Sequence, residues 1–155
     1  MTLVVYVGGA RSGKSTLAVE RAKAEGMPVT FIATGEAGDE EMAERIARHR
    51  AERPADWTTV EEPVELQRAL AAVPTGDTAI VDCLSLWIAN GGDGAVPAPR
   101  DGLTIAVTNE VGLGIVPVNA LARAYRDELG RVNASWVAAS DEAYFVVAGR
   151  MLRLS

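Results

Sequence analysis

An α/β fold, with a mostly parallel sheet flanked by helices, is predicted by two observations. Apolar runs that read as buried strands alternate along the chain with amphipathic segments that read as helices. The first apolar run, Leu3 to Val7, passes through a glycine-rich loop, Gly8 Gly9 Ala10 Arg11 Ser12 Gly13 Lys14 Ser15, directly into a helical segment. No internal repeat is visible. With 155 residues the chain is read as one domain over 1–155, large enough to bury roughly 70% of the surface its unfolded form exposes.

Each element has a local reason. Lys14 to Glu25 reads as a helix, with Leu17, Ala18 and Ala22 on one side and Gly26 with Pro28 closing it. Val29 to Thr34 is the next strand, ending at Gly35, where a loop is expected over the carboxyl ends of the strands. Asp39 to Arg53 is predicted helical because acids lead, arginines finish and Pro54 stops it, matching the helix dipole. Trp57 to Glu61 gives a short strand, Pro63 to Ala72 a helix, and Thr78 to Cys83 an apolar strand. Gly91 to Gly102 is rich in glycine, proline and alanine and reads as loop. Ile105 to Thr108 is a buried strand. Pro117 to Leu129 reads as a helix that Gly130 ends, Arg131 to Ala139 as a second helix, Ala143 to Val147 as a strand, and Met151 to Ser155 as an edge strand.

The glycine-rich run is the pattern GxxxxGK[ST] in its strand–loop–helix context. Its backbone N–H groups close around phosphate oxygens, the helix that follows points its positive end at them, and Lys14 can neutralise β- and γ-phosphate charge. Ser15 supplies a hydroxyl for Mg²⁺. The chain is therefore expected to bind a nucleoside triphosphate. Asp82, near the end of a neighbouring strand, suits the carboxylate that holds Mg²⁺ opposite Ser15; it also suits a turn-starting aspartate. Glu110, beside glycines 112 and 114, could contact metal or substrate, or be a solvated loop carboxylate.

The only histidine, His49, lies one turn beyond Ile46 and two beyond Met42 on the Asp39 to Arg53 helix. Its periodicity fits a partly buried packing residue. The arginines at 45, 48, 50 and 53 favour a neutral imidazole and attract polyphosphate, while the helix C-terminus acts the other way. A neutral imidazole near an α-phosphate is a competent nucleophile, although spacing alone does not assign that role.

Net charge is −6, which disfavours non-specific binding to nucleic acid or anionic lipid. One cysteine, Cys83, excludes an internal disulfide and fits a reducing compartment. The first apolar run stops after Val7 and carries no basic leader, so a cytoplasmic protein without a membrane span is expected. The expected partners are small molecules and copies of the chain itself.

Taken in order, GGARSGKS at Gly8 to Ser15, Arg45 Ile46 with His49, Arg53 Pro54 and Trp57, then Asp82, and TNEVGLGIVP at Thr108 to Pro117 resemble one family. It is the bifunctional adenosylcobinamide kinase/adenosylcobinamide-phosphate guanylyltransferase family of cobalamin biosynthesis. GRVN at Gly130 to Asn133 and VVAG at Val146 to Gly149 fit as well, and the matches span nearly the whole chain. Many unrelated enzymes share the phosphate loop, but the other two blocks together are specific to this family. The resemblance implies a RecA-like P-loop fold, usually assembled as a trimer, acting on a corrinoid. ATP or GTP phosphorylates the aminopropanol hydroxyl of adenosylcobinamide; GTP then transfers GMP to that phosphate, giving adenosylcobinamide-GDP and pyrophosphate. It implies that His49 is the guanylylated nucleophile, with Lys14 beside it in catalysis. The implied nucleotide contacts are Gly8, Gly9, Ala10, Arg11, Ser12, Gly13, Lys14, Ser15, Ala33, Thr34, Gly35, Arg50, Ala51, Glu52, Arg53, Glu61 and Asp82, with Ser15 and Asp82 on Mg²⁺.

The chain departs from the family pattern twice. The span from Cys83 to Leu103 is shorter than the family's connection, which usually carries a helix; its loss is expected to expose part of the sheet or a subunit contact. Ala134 follows Asn133 where the family has glutamine. A GTPase switch is disfavoured, because no NKxD motif is present and the only DxxG, Asp127 to Gly130, lies far from the loop. A small-molecule kinase without guanylyl transfer explains Lys14, Ser15 and Asp82 but leaves His49 idle. A degenerate GTP-binding paralogue is the third reading.

Overall fold

The computed structural model describes residues 2–154, so the predicted Met151 to Ser155 strand is seen only as far as Leu154. In chain order the elements are β1 (Thr2–Gly8), α1 (Lys14–Glu25), β2 (Val29–Ala33), α2 (Glu40–Ala51), β3 (Thr58–Glu61), α3 (Leu66–Ala71), β4 (Thr78–Asp82), α4 (Leu84–Ala89), β5 (Leu103–Asn109), α5 (Ala120–Ala139), β6 (Glu142–Val147) and β7 (Arg150–Arg153). The strands form one seven-stranded sheet in the order β3-β2-β4-β5-β1-β6-β7. All pairings are parallel except β6 with β7.

Side chains alternate across this sheet, as a strand buried on both faces requires. Leu3, Val5 and Val7 of β1 face a core built with Leu66 and Leu70 of α3, Leu84, Trp87 and Ile88 of α4, and Leu129, Val132 and Trp136 of α5. Val4 and Tyr6 face the opposite core, with Ala18 and Ala22 of α1, Ile80, Ile105, Val107 and Val146. Trp87 and Trp136 meet edge to face with ring centroids 6.1 Å apart.

Register decides what gathers at the carboxyl ends. Ala33 pairs with Asp82, Asp82 with Val107, and Asn109 with Gly8. The last residues of β1, β2, β4 and β5 therefore share one edge of the sheet. Between β2 and β4 the edge is pinned by Thr34, whose fully buried hydroxyl donates to the Cys83 carbonyl at 2.7 Å and accepts from the Cys83 N–H at 2.8 Å. That clasp fixes the backbone on which Asp82 sits.

Two expectations are corrected. The helices predicted on either side of Gly130 are one helix, α5, capped by Asn119, whose side chain accepts from the N–H groups of Leu121 and Ala122. The packed seam Tyr125, Leu129, Val132, Trp136 runs past Gly130 at helical spacing, and its burial outweighs glycine's helix penalty of about 1 kcal/mol. The shortened connection also keeps a helix. α4, with Leu84, Trp87 and Ile88 buried, and the following loop, with Val96 against the core, cover the sheet that was expected to be exposed. The loop is tightly held. Arg100 donates to the carbonyls of Pro74, Asp77 and Leu103, and a Cβ on Gly92 would lie 2.3 Å from the Trp87 indole nitrogen.

Smaller boundary shifts have local causes. α3 begins at Leu66 because the Glu62 carboxylate draws the N–H groups of Val64 and Glu65 into a turn before it. β5 runs from Leu103 to Asn109, longer than predicted, because both its neighbours, β1 and β4, pair with it.

Gly130→Ala is expected to raise stability by about 0.5–1 kcal/mol in urea unfolding, since the added Cβ meets nothing within 4 Å and the position is an exposed helix interior. Thr34→Val keeps the shape but leaves the Cys83 N–H unpaired in the core, and it should lower stability by about 1–3 kcal/mol in the same measurement.

Candidate active site

The phosphate loop is moulded from outside as well as by its own glycines. Gly13 at φ 100° is the left-handed residue that turns the loop into α1. A two-residue turn, Ala148-Gly149, joins β6 to β7, with both residues at positive φ as a tight hairpin demands. Its Gly149 N–H donates to the Ser12 carbonyl at 2.8 Å. A Cβ on Gly13 would lie 3.2 Å from the Gly149 Cα, and one on Gly8 would lie 2.3 Å from the Val146 carbonyl oxygen. Side chains at these two positions would push the hairpin away.

Lys14 is 7% exposed, and its ammonium donates to the Gly9 carbonyl at 2.5 Å and the Ser12 hydroxyl at 3.3 Å. Burial pulls its pKa below the ordinary lysine value, and the nearby Cys83 and Asp82 oppose that shift. Ser15, in the first turn of α1, donates its hydroxyl to Asp82 Oδ2 at 3.0 Å. The same carboxylate oxygen is 3.8 Å from Nδ1 of His49 on α2. The Asp82 side chain is 13% exposed and that of His49 34%.

α2 lies on the surface without a fully buried face. Its N-cap Asp39 accepts from the Met42 N–H, acids lie in the first turn and Arg48, His49 and Arg50 in the last, yet none of its residues is buried. A Cβ on Gly35 would be tight against Leu86 of α4 at 3.3 Å and in ordinary contact with Ile46 of α2 at 3.7 Å, so Gly35 sits between the two helices. Beyond the helix, the Arg53 guanidinium stacks 3.5 Å from the centre of the Phe31 ring.

These groups line an open cavity of about 440 Å³ over the carboxyl edge of the sheet. Arg11 to Ser15, Ala33, Gly35, Glu52, Arg53, Asp82 and His49 are on its wall. So are Arg45, Arg48 and Asn109. A second hollow of about 270 Å³ adjoins it and shares Ser15, His49, Glu52, Arg53 and Asp82, with Val19 and Phe31 adding apolar wall.

The other proposed contacts sit apart. Gly8, Gly9 and Ala10 form the base of the loop, off the wall. Thr34 turns its side chain to Cys83. Arg50 and Glu61 pair with each other at 2.5 Å in exposed positions beside the cavity, which Ala51 does not reach. Glu110 folds its carboxylate onto the Gly112 N–H at 2.6 Å and is absent from the wall. Its neighbour Asn109 is on the wall, and the sequence signal for it is its place at the end of a strand on the ligand side of the sheet.

The Ser15 hydroxyl and Asp82 carboxylate are adjacent hard oxygen donors of the kind Mg²⁺ takes. Among the described residues no group of three or more His, Cys, Asp or Glu side chains could hold a metal. The donor set thus suits an ion that draws its remaining ligands from phosphate and water.

The family model for cobinamide kinase / cobinamide phosphate guanyltransferase matches residues 3–93 and 94–154, two pieces that meet within the shortened connection. A bifunctional adenosylcobalamin biosynthesis protein of Pseudomonas aeruginosa is 43% identical over 160 aligned residues, covering 94% of this chain and 92% of that one. The protein of the same description from Escherichia coli is 37% identical over 175 aligned residues, covering 95% and 96%. Among solved structures, a prototypical ATPase from the type III secretion system of pathogenic bacteria superposes with a TM-score of 0.50 at 13% identity, over 93% of this chain. This chain spans 51% of that ATPase chain, and the likeness is one of fold, a P-loop sheet with helices on both faces. With the family model matching almost from end to end and two relatives well above 30% identity, the chain belongs to the cobinamide kinase / cobinamide phosphate guanyltransferase family.

Proposed function

We propose that the chain phosphorylates adenosylcobinamide with ATP or GTP and then transfers GMP from GTP to the resulting phosphate through a guanylylated His49. The observation that carries this reading is the position of His49. A histidine remote from the phosphate loop in sequence stands 3.8 Å from the carboxylate that accepts the Ser15 hydroxyl. A kinase without guanylyl transfer gives that placement no work.

In the guanylyl step an imidazole nitrogen of His49 attacks the α-phosphorus. A P–N bond forms, the bond from the α-phosphorus to the bridging oxygen breaks, and pyrophosphate leaves with the electron pair. The corrinoid phosphate then attacks the same phosphorus, the P–N bond breaks, and the imidazole is regenerated. Lys14 and the loop N–H groups stabilise the leaving pyrophosphate, and Arg53 contributes charge from the opposite wall. Glu52 lies on that wall beside it, while Arg50 and Glu61, paired with each other outside the wall, and Ala51 are read as contacts made once a nucleotide is bound. Ser15 and Asp82 would hold Mg²⁺, which supplies charge neutralisation on the phosphates. In the kinase step the protein chiefly positions and electrostatically stabilises the moving phosphoryl group.

The protein is further read as a cytoplasmic homo-oligomer, a trimer in keeping with the family. Supporting the association, the segment after β5 leaves Leu113, Ile115, Val118 and Leu121 between 78% and 98% exposed, an apolar run that water alone does not favour. No helix among the described residues is long and apolar enough to cross a membrane.

Intact mass after incubation with GTP and Mg²⁺ should show one GMP added per chain, and none on His49→Ala, which should keep its kinase activity. A wild-type protein that binds GTP without gaining mass would overturn the guanylyl reading. Light scattering should give the mass of three chains, and Ile115→Asp with Val118→Asp should yield a smaller species.

A further inference from the structure

The geometry points to Asn109 as a catalytic residue of the kinase step alone, the group that aligns the corrinoid hydroxyl with the γ-phosphate; this rests on the two-step reading above. β5 lies between the strand that enters the phosphate loop and the strand that ends in Asp82. Its last residue, Asn109, pairs with Gly8, while Asp82 pairs with Val107 one full pleat earlier. Asn109 is therefore set one strand from the root of the loop and extends beyond the level of Asp82, on the wall that also carries Lys14.

The amide is anchored by a polar chain that reaches into the core. Asn109 Nδ2 donates to the Ser85 hydroxyl at 3.1 Å, and the Asn109 carbonyl accepts from Asn133 Nδ2 at 3.0 Å. Asn133, itself buried, accepts the Thr108 hydroxyl at 2.6 Å, and the Ser85 hydroxyl also contacts the Cys83 thiol at 2.9 Å. Four buried or half-buried polar side chains with matched partners hold one orientation, because breaking any link leaves a buried group unpaired. Asn109 Oδ1 takes no hydrogen bond from any described residue, so an acceptor remains available at the cavity wall.

An amide carries no charge to repel a nucleotide phosphate and is no base. What it supplies is direction. Oδ1 accepts the hydrogen bond of the aminopropanol hydroxyl, turning an oxygen lone pair toward the γ-phosphorus. The new O–P bond forms, the bond from the γ-phosphorus to the β,γ-bridging oxygen breaks, and the nucleoside diphosphate leaves with the electron pair. The hydroxyl proton passes to an oxygen of the transferred phosphoryl group, consistent with a loose transition state that needs little help from a base. Guanylylation of His49 breaks a different bond, at the α-phosphorus, and involves no hydroxyl acceptor.

The two steps can be read separately on one protein. For Asn109→Ala, phosphorylation of adenosylcobinamide by ATP should fall about a hundredfold or more in kcat, with KM for ATP within a few-fold of wild type. The extent and rate of GMP addition from GTP should stay within about threefold. Ser85→Ala, which frees the amide without touching the cavity wall, should give a smaller kinase loss of about tenfold and the same adduct. Kinase activity within threefold of wild type in Asn109→Ala overturns the proposal, as does a parallel loss of both steps in Ser85→Ala. A misfolded Asn109→Ala would lose the adduct too, and Ser85→Ala then decides. Failure of the wild type to form the adduct or to phosphorylate the corrinoid would instead refute the two-step reading itself.

Discussion

The site is organised around one poorly hydrated carboxylate. Asp82 is 13% exposed at the end of β4, and a charge so placed is tolerable only with partners around it. Ser15 gives it a hydroxyl hydrogen bond, His49 faces it from α2, and the positive charges of Lys14 and Arg53 act on it or with it from either side. One side-chain oxygen thus takes a hydrogen bond from α1 and faces a histidine of α2, two helices that come from different crossovers. The Thr34 clasp on Cys83 matters for the same reason, because a shift of the β4 end would move that oxygen relative to both helices.

Much of this architecture is legible in sequence where the information is local. α1 begins and ends at the residues expected, Lys14 and Glu25, because the loop motif opens it and Gly26 in the left-handed conformation closes it. Gly130 misled in α5, since an isolated glycine reads as a stop signal until the burial of Leu129, Val132 and Trp136 on both sides is known. α4 escaped notice because LSLWIA is six residues long and apolar on nearly every side, a pattern that periodicity does not separate from a strand. What makes it a helix is tertiary: the Trp87 indole N–H reaches the Val64 carbonyl at 2.7 Å, and its ring meets Trp136.

The site divides along the same line. The phosphate loop and Asp82 could be read from spacing, whereas nothing in the α2 pattern decided between a packing and a chemical role for His49. Its placement is long-range, on a helix whose Ile46 approaches Gly35 just beyond the end of β2. Glu110 suits either a metal or substrate contact or a loop carboxylate from sequence, and its carboxylate bonds to its own loop while the uncharged neighbour Asn109 lines the cavity. Residue type suggested one and the phase of the strand selected the other.

The hairpin turn at Ala148-Gly149 has a consequence for the order in which the protein comes into being. The phosphate loop leaves the ribosome before the hairpin that forms its outer mould. Gly8 rests under Val146, and Ser12 and Gly13 rest against Gly149. About 137 positions separate each of these loop residues from the residue that shapes it. A nascent chain that already displays the whole motif therefore lacks the contacts that mould the loop until β6 and its turn have followed.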